Sequence, residues 1–170
     1  YFYYFSLALY NIGVIILDVM RVVNHNKTKG ARVMKKADVY KELVINAHNA
    51  GMEALEKSVP TPMVVSQHEN MLNDNSPVKE SWYVSEGMCG FAWVHLSNAR
   101  QSLVCWMRKN DIGYKSYYGG WDVWPSHVAR AFGLNAYNGQ SIERKEAYSH
   151  GFASVLKDAG FDCYIDSRLD

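Results

Sequence analysis

Between residues 141 and 159, Tyr148, Phe152, Val155 and Leu156 recur at three- and four-residue spacing, and Gly160 follows the run. That spacing is one face of an α-helix, with Ser141 as its cap and Gly160 as its terminator. A helix with a single apolar face must lay it on another element, so the pattern of the remaining chain decides the fold class. Residues 37–57 carry a second stripe, Tyr40, Leu43, Val44, Ala47, Gly51 and Leu55, with Asp38 placed to favour its start and Pro60 and Pro62 beyond its end. Between the two stripes the periodicity changes. Residues 62–65 read as a short strand, and the polar residues 66–77 as a loop. Residues 80–85 and 90–96 read as strands, joined as a hairpin through residues 86–90. Ser97 or Asn98 then caps a helix through Asn110, with Leu103, Trp106 and Met107 on one face and Gly113 after it. Residues 114–124 form a second hairpin, turning on Gly119-Gly120 and closed by Pro125. Residues 128–132 give a short helical turn, and residues 161–165 a final strand. The sum is an α+β fold: a small antiparallel or mixed sheet with helices packed on it, in one domain over residues 34–170.

With 48% hydrophobic residues the chain has material for a packed core. Charge is unevenly placed. Residues 1–33 carry Arg21, Lys27, Lys29 and Arg32 against Asp18, whereas residues 34–170 hold 14 Lys and Arg against 16 Asp and Glu, a balance of −2. A dedicated duplex binder has a basic excess, so this balance counts against nucleic acid as the main partner.

The first 33 residues stand apart. Residues 1–17 are almost wholly apolar, yet the run is shorter than the roughly 20 residues a spanning helix needs. Met34 opens an amphipathic segment, and Lys29-Gly30-Ala31 can be encoded by a purine-rich tract of ribosome-binding type. The expectation is that residues 1–33 are upstream sequence translated in frame, the rival being a truncated membrane anchor. The basic flank after such an anchor would keep the domain in the cytoplasm, so both readings give a cytoplasmic protein.

No motif of catalysis or metal binding is present in the sequence. Cys89, Cys105 and Cys163 form no CxxC pair and read as free thiols. His25, His48, His68, His95, His127 and His150 form no HxH or HExxH pattern, so no metal and no cofactor is expected. His95 reads as a hydrogen-bonded core or sheet-face residue, and His48 and His150 as surface residues of helices. Cys89 with His95 on the following strand would make a nucleophile and base only if the two met in space.

Two sets of residues point to binding. Tyr114, Tyr117, Tyr118, Trp121 and Trp124, with Lys115, crowd into the hairpin at 114–124. Alternation puts aromatics on both of its faces, more than one core can take, so Lys115, Tyr117, Tyr118 and Trp121 are candidate contact residues. Arg144, Lys145 and Arg168 are the second set, placed where an anionic group could dock at the start of the last helix.

Five segments together resemble a family of small, uncharacterised tailed-bacteriophage proteins: Pro60-Thr61-Pro62-Met63-Val64-Val65, Cys89-Gly90-Phe91-Ala92-Trp93-Val94, Tyr117-Tyr118-Gly119-Gly120, Gln140-Ser141 with Arg144-Lys145-Glu146-Ala147, and Ser167-Arg168-Leu169-Asp170. They span residues 60–170. The chain differs from the family's pattern over residues 123–140, which are longer here. The resemblance implies a phage origin and supplies no mechanism. The expected function is that of a phage accessory protein that binds a host or phage protein without catalysis. The alternatives are a binder of single-stranded nucleic acid, stacking bases on Tyr117, Tyr118 and Trp121 with Lys115 and Arg144 on phosphates, and a small enzyme or nucleotide-ligand binder.

Overall fold

The computed structural model describes residues 35–170, so the expectations for residues 1–33 lie outside the described part. The fold is α+β. In chain order its elements are α1 (Lys36–Lys57), β1 (Met63–His68), β2 (Val78–Val84), β3 (Gly90–Leu96), α2 (Ser102–Lys109), β4 (Tyr114–Lys115), β5 (Trp121–Val123), α3 (Pro125–Phe132), α4 (Ile142–Asp158) and β6 (Cys163–Leu169). Four strands form one antiparallel sheet in the order β4-β5-β3-β6, and β1 and β2 form a separate antiparallel pair.

The two long helices cross at glycine. A Cβ on Gly51 would lie 2.8 Å from the Tyr148 ring, and one on Gly151 would lie 2.5 Å from the Ala50 carbonyl oxygen. Each helix thus removes a side chain where the other passes, which lets α1 and α4 pack closely and carry Tyr40, Val44, Tyr148, Phe152 and Leu156 into one core. Val155 is only partly buried at its edge. Where they cross, His48 is 2% exposed, not at the surface. The helix must turn this residue inward because Val44, Ala47 and Gly51 share its buried side. Its Nε2–H donates to the Asn135 carbonyl (3.0 Å), leaving Nδ1 to accept from the Tyr148 hydroxyl (2.8 Å). Burial lowers the His48 pKa and raises that of Tyr148, so both stay neutral. His150 is exposed.

Several connections differ from the sequence expectation. Residues 80–85 and 90–96 do not form a hairpin: β2 pairs with β1, and β3 pairs with β5 and β6. Strand β1 runs on through His68, so the connecting turns occupy only residues 69–77. Polarity hid this extension because both faces of the β1–β2 pair meet solvent. Helix α2 begins later than expected, with Gln101 at its N-cap, since Asn98 Oδ1 accepts from the Arg100 N–H in a turn of its own. At α4, Ser141 holds the N-cap position without a capping hydrogen bond. Pro125 opens α3 as its first residue, and β6 runs four residues past the expected strand.

Candidate binding surface

Alternation along β3 sorts its side chains onto two faces. Ala92, Val94 and Leu96 are buried, and Val94 and Leu96 join Trp121 and Val123 of β5 and Cys163 of β6 in the core beneath the helices. Phe91, Trp93 and His95 face the other way. Register extends that row: Phe91 stands beside Arg168, Trp93 beside Asp166, His95 between Tyr164 and Asp122, and Asp122 beside Tyr114. The two long helices pack on the core face; on the outer one His127 of α3 meets Tyr114 edge to face at 5.7 Å, and His95 and Asp122 are themselves buried.

The outer face is aromatic. Trp93 and Trp124 lie parallel, 5.3 Å apart, and Phe91 tilts onto Trp124 at 5.7 Å. Phe91 and Trp93 are half-buried, while Tyr114 and Tyr164 are exposed. Trp124 Nε1–H donates to the Tyr114 hydroxyl at 2.8 Å, tying the edge strand into the row. Two cations flank Phe91: Lys145 Nζ at 5.0 Å and the Arg168 guanidinium at 5.3 Å from the ring centre. Beside Phe91 lies a pocket of about 170 Å³ whose walls include Phe91, Trp124, Tyr137 and Lys145 together with the core residues Leu55 and Ala92.

The residues expected to bind fall into three groups. Tyr117 and Tyr118 are each 94% exposed, packed edge to face at 5.1 Å on the β4–β5 connection. That connection is longer than the two-residue turn expected: Lys115 pairs with Trp121, and residues 116–120 form the loop, with Gly119 and Gly120 at φ 93° and 77°. Lys115 is exposed on the edge strand. Trp121 is a correction. It is buried, and its Nε1–H donates to the Ile112 carbonyl, so it anchors the loop to the core and offers no contact surface. Arg144 is corrected too. It reaches back to Glu86 (2.7 and 3.2 Å) and to the Leu55 and Ser58 carbonyls at the end of α1, so its donors are engaged within the fold. The Arg144 hydrogen bond holds the Glu86 carboxyl below its ordinary pKa. Lys145 and Arg168 remain at the outer face.

His95 Nδ1 lies 2.6 Å from Asp122 Oδ1, both buried, and its ring packs against Tyr164 at 4.7 Å. Such a pair can orient a general base. Here the backbone of Gly120 sits against the other nitrogen: a Cβ there would come within 2.4 Å of Nε2. The pair therefore ties β5 to β3 under the loop. Cys89 is at the far end of β3, where its thiol donates to Gln140 Oε1 at 3.3 Å, so the Cys89–His95 pairing does not form. Among the described residues no cluster of three His, Cys, Asp or Glu is placed to hold a metal ion, and no helix is long and apolar enough to cross a membrane.

Phe91, Trp93 and Tyr164 were missed as surface residues, while Trp124 stood in the aromatic cluster already read at 114–124. The signal was in the sequence: in Gly90-Phe91-Ala92-Trp93-Val94, aromatics alternate with the smallest side chains. On the core side Gly90 lies against Ile142 of α4, leaving no room for a larger residue, so the bulk stands on the other face. Set against protein-family models, curated proteins and solved structures, the chain matches none.

Proposed function

We propose that this chain is a non-catalytic binding protein whose contact surface is the partly exposed aromatic face of the four-stranded sheet. One observation carries the reading: Phe91, Trp93, Trp124, Tyr114 and Tyr164 share one face of the sheet, with Tyr114 and Tyr164 exposed and the other three rings half-buried. Aromatic rings held in place by a sheet offer large contact area at little ordering cost. The resemblance to tailed-phage proteins supports an accessory role in the cytoplasm of an infected bacterium, with a phage or host macromolecule as partner. The exposed Tyr117–Tyr118 pair on the β4–β5 connection suits a protein contact and a stacked base alike.

The test is affinity capture with tagged wild-type protein and a Phe91→Leu/Trp93→Leu variant, each with and without nuclease treatment of the lysate. Partners held by the wild type and lost by a folded variant support the platform. Retention of every partner by the variant places binding elsewhere.

A further inference from the structure

Building on the platform reading, we propose that its ligand is single-stranded RNA, with bases stacked on Phe91 and Trp93, phosphates at Lys145 and Arg168, and the Asp166 carboxylate on a ribose hydroxyl.

The central strand carries the first reason. Gly90-Phe91-Ala92-Trp93-Val94 follows the pattern Gly, aromatic, small, aromatic, Val found on the middle strand of sheet-type RNA modules, in which the two aromatics stack bases. The likeness is confined to this strand and its setting: a central position in a four-stranded antiparallel sheet, the long helices α1 and α4 on one face, and the two rings on the other. That pattern begins with a basic residue and ends on a further aromatic, whereas this chain has Cys89 and the core residue Leu96 at those positions. The missing charge comes from neighbouring elements, since Lys145 of α4 and Arg168 of β6 both stand within 5.3 Å of the Phe91 ring. Lys145 donates one hydrogen bond to the Gly90 carbonyl at 2.6 Å and has two further protons to offer.

Charge placement then selects the kind of nucleic acid. Duplex binding draws on many phosphate contacts, and a body at −2 with two cations on this face does not provide them. Stacking on a short strand requires few. Two acids lie on the face. Asp122 is occupied by His95, and Asp166 stands beside Trp93. An exposed carboxylate repels phosphate but accepts a hydrogen bond from a ribose 2′-hydroxyl, the group that separates RNA from DNA. The −2 balance is thus compatible with a ligand held mainly by its bases.

The experiment is fluorescence anisotropy with labelled single-stranded RNA, the matching DNA strand and duplex, each of about ten nucleotides, at about 50 mM salt. Binding of RNA is expected to exceed that of DNA and duplex, with tryptophan emission quenched. Phe91→Leu, which keeps apolar volume and removes the ring, is expected to weaken binding by about 5- to 100-fold. Two phosphate contacts predict a log–log salt slope of about −1.4, reduced by about 0.7 in Arg168→Gln. Asp166→Ala should narrow the gap between RNA and DNA. Circular dichroism checks that each variant is folded. RNA binding unchanged in Phe91→Leu, or DNA bound as tightly as RNA, overturns the proposal. No RNA binding combined with a protein captured by wild type and lost by Phe91→Leu/Trp93→Leu shows that the platform is right and its ligand wrong; no binding and no capture removes both.

Discussion

The indole of Trp93 lies flat on that of Trp124, with 5.3 Å between ring centres and 3° between planes. Trp93 is on β3 and Trp124 directly follows β5, one step beyond the Val94–Val123 pair, and the stack holds the aromatic row in place before any ligand arrives. A row ordered in advance loses less freedom on binding than one that must assemble. A double-mutant cycle on Trp93→Leu and Trp124→Leu, followed by urea unfolding, is expected to give a coupling energy of about 0.5–1.5 kcal/mol. Additive single changes would show that the stack does not contribute.

Phe152 is 1% exposed in the core between α4, α1 and the sheet. Phe152→Ala is expected to destabilise by about 3–5 kcal/mol. Tyr117→Ala, at a side chain almost wholly in solvent, should stay within about 0.5 kcal/mol of wild type. Urea melts of the two variants check both, and a Phe152 loss below about 1 kcal/mol would contradict the assigned core face.

Stability should fall on acidification below about pH 6.5. Burial lowers the pKa of His48, and also of His127, where the nearby Arg130 charge adds to the effect. In the unfolded chain both titrate near the ordinary value of about 6.5. As pH drops through that value the unfolded state binds protons that the folded state refuses, so the stabilisation present at neutral pH is lost by up to about 1.4 kcal/mol per pH unit per group. Melting temperatures from pH 8 down to pH 5 measure the slope. His48→Gln should flatten it, and an unchanged slope in that variant would remove His48 from the account.

The β1–β2 pair packs chiefly on itself and exposes Val64, Val65, Trp82 and Tyr83. A lone two-stranded ribbon is marginal in water, and local opening follows low contact density. Amide hydrogen exchange should therefore be fast across residues 63–84 and slow in β3 and α4. Equal protection in both regions would mean that the ribbon is covered in solution.

Periodicity made the two long helices legible, because α1 and α4 each bury one continuous stripe: Phe152 and Leu156 were readable from spacing alone. Strand pairing was not legible, since β2 and β3 are adjacent in sequence yet join different sheets, and nothing in Glu86–Gly90 announces it. The candidate site was half readable. Local pattern exposed Tyr117 and Tyr118, but Trp121 in the same cluster is core because its indole reaches Ile112, a contact that depends on the fold. Arg144 is engaged by carbonyls at the end of α1, more than eighty positions away. The outer face itself combines β3, β5 and β6, and only the register between them brings Phe91 beside Arg168.

The most direct test of the aromatic platform follows the indole N–H signals of the five tryptophans by ¹⁵N nuclear magnetic resonance during titration with single-stranded RNA. Trp93 and Trp124 lie on the outer face, Trp121 is bonded into the core, Trp106 packs against Tyr40 and Phe132, and Trp82 belongs to the separate ribbon. The account predicts that the Trp93 and Trp124 signals move while those of Trp106, Trp121 and Trp82 stay in place. Movement of the Trp82 or Trp106 signals with Trp93 and Trp124 unmoved would contradict it.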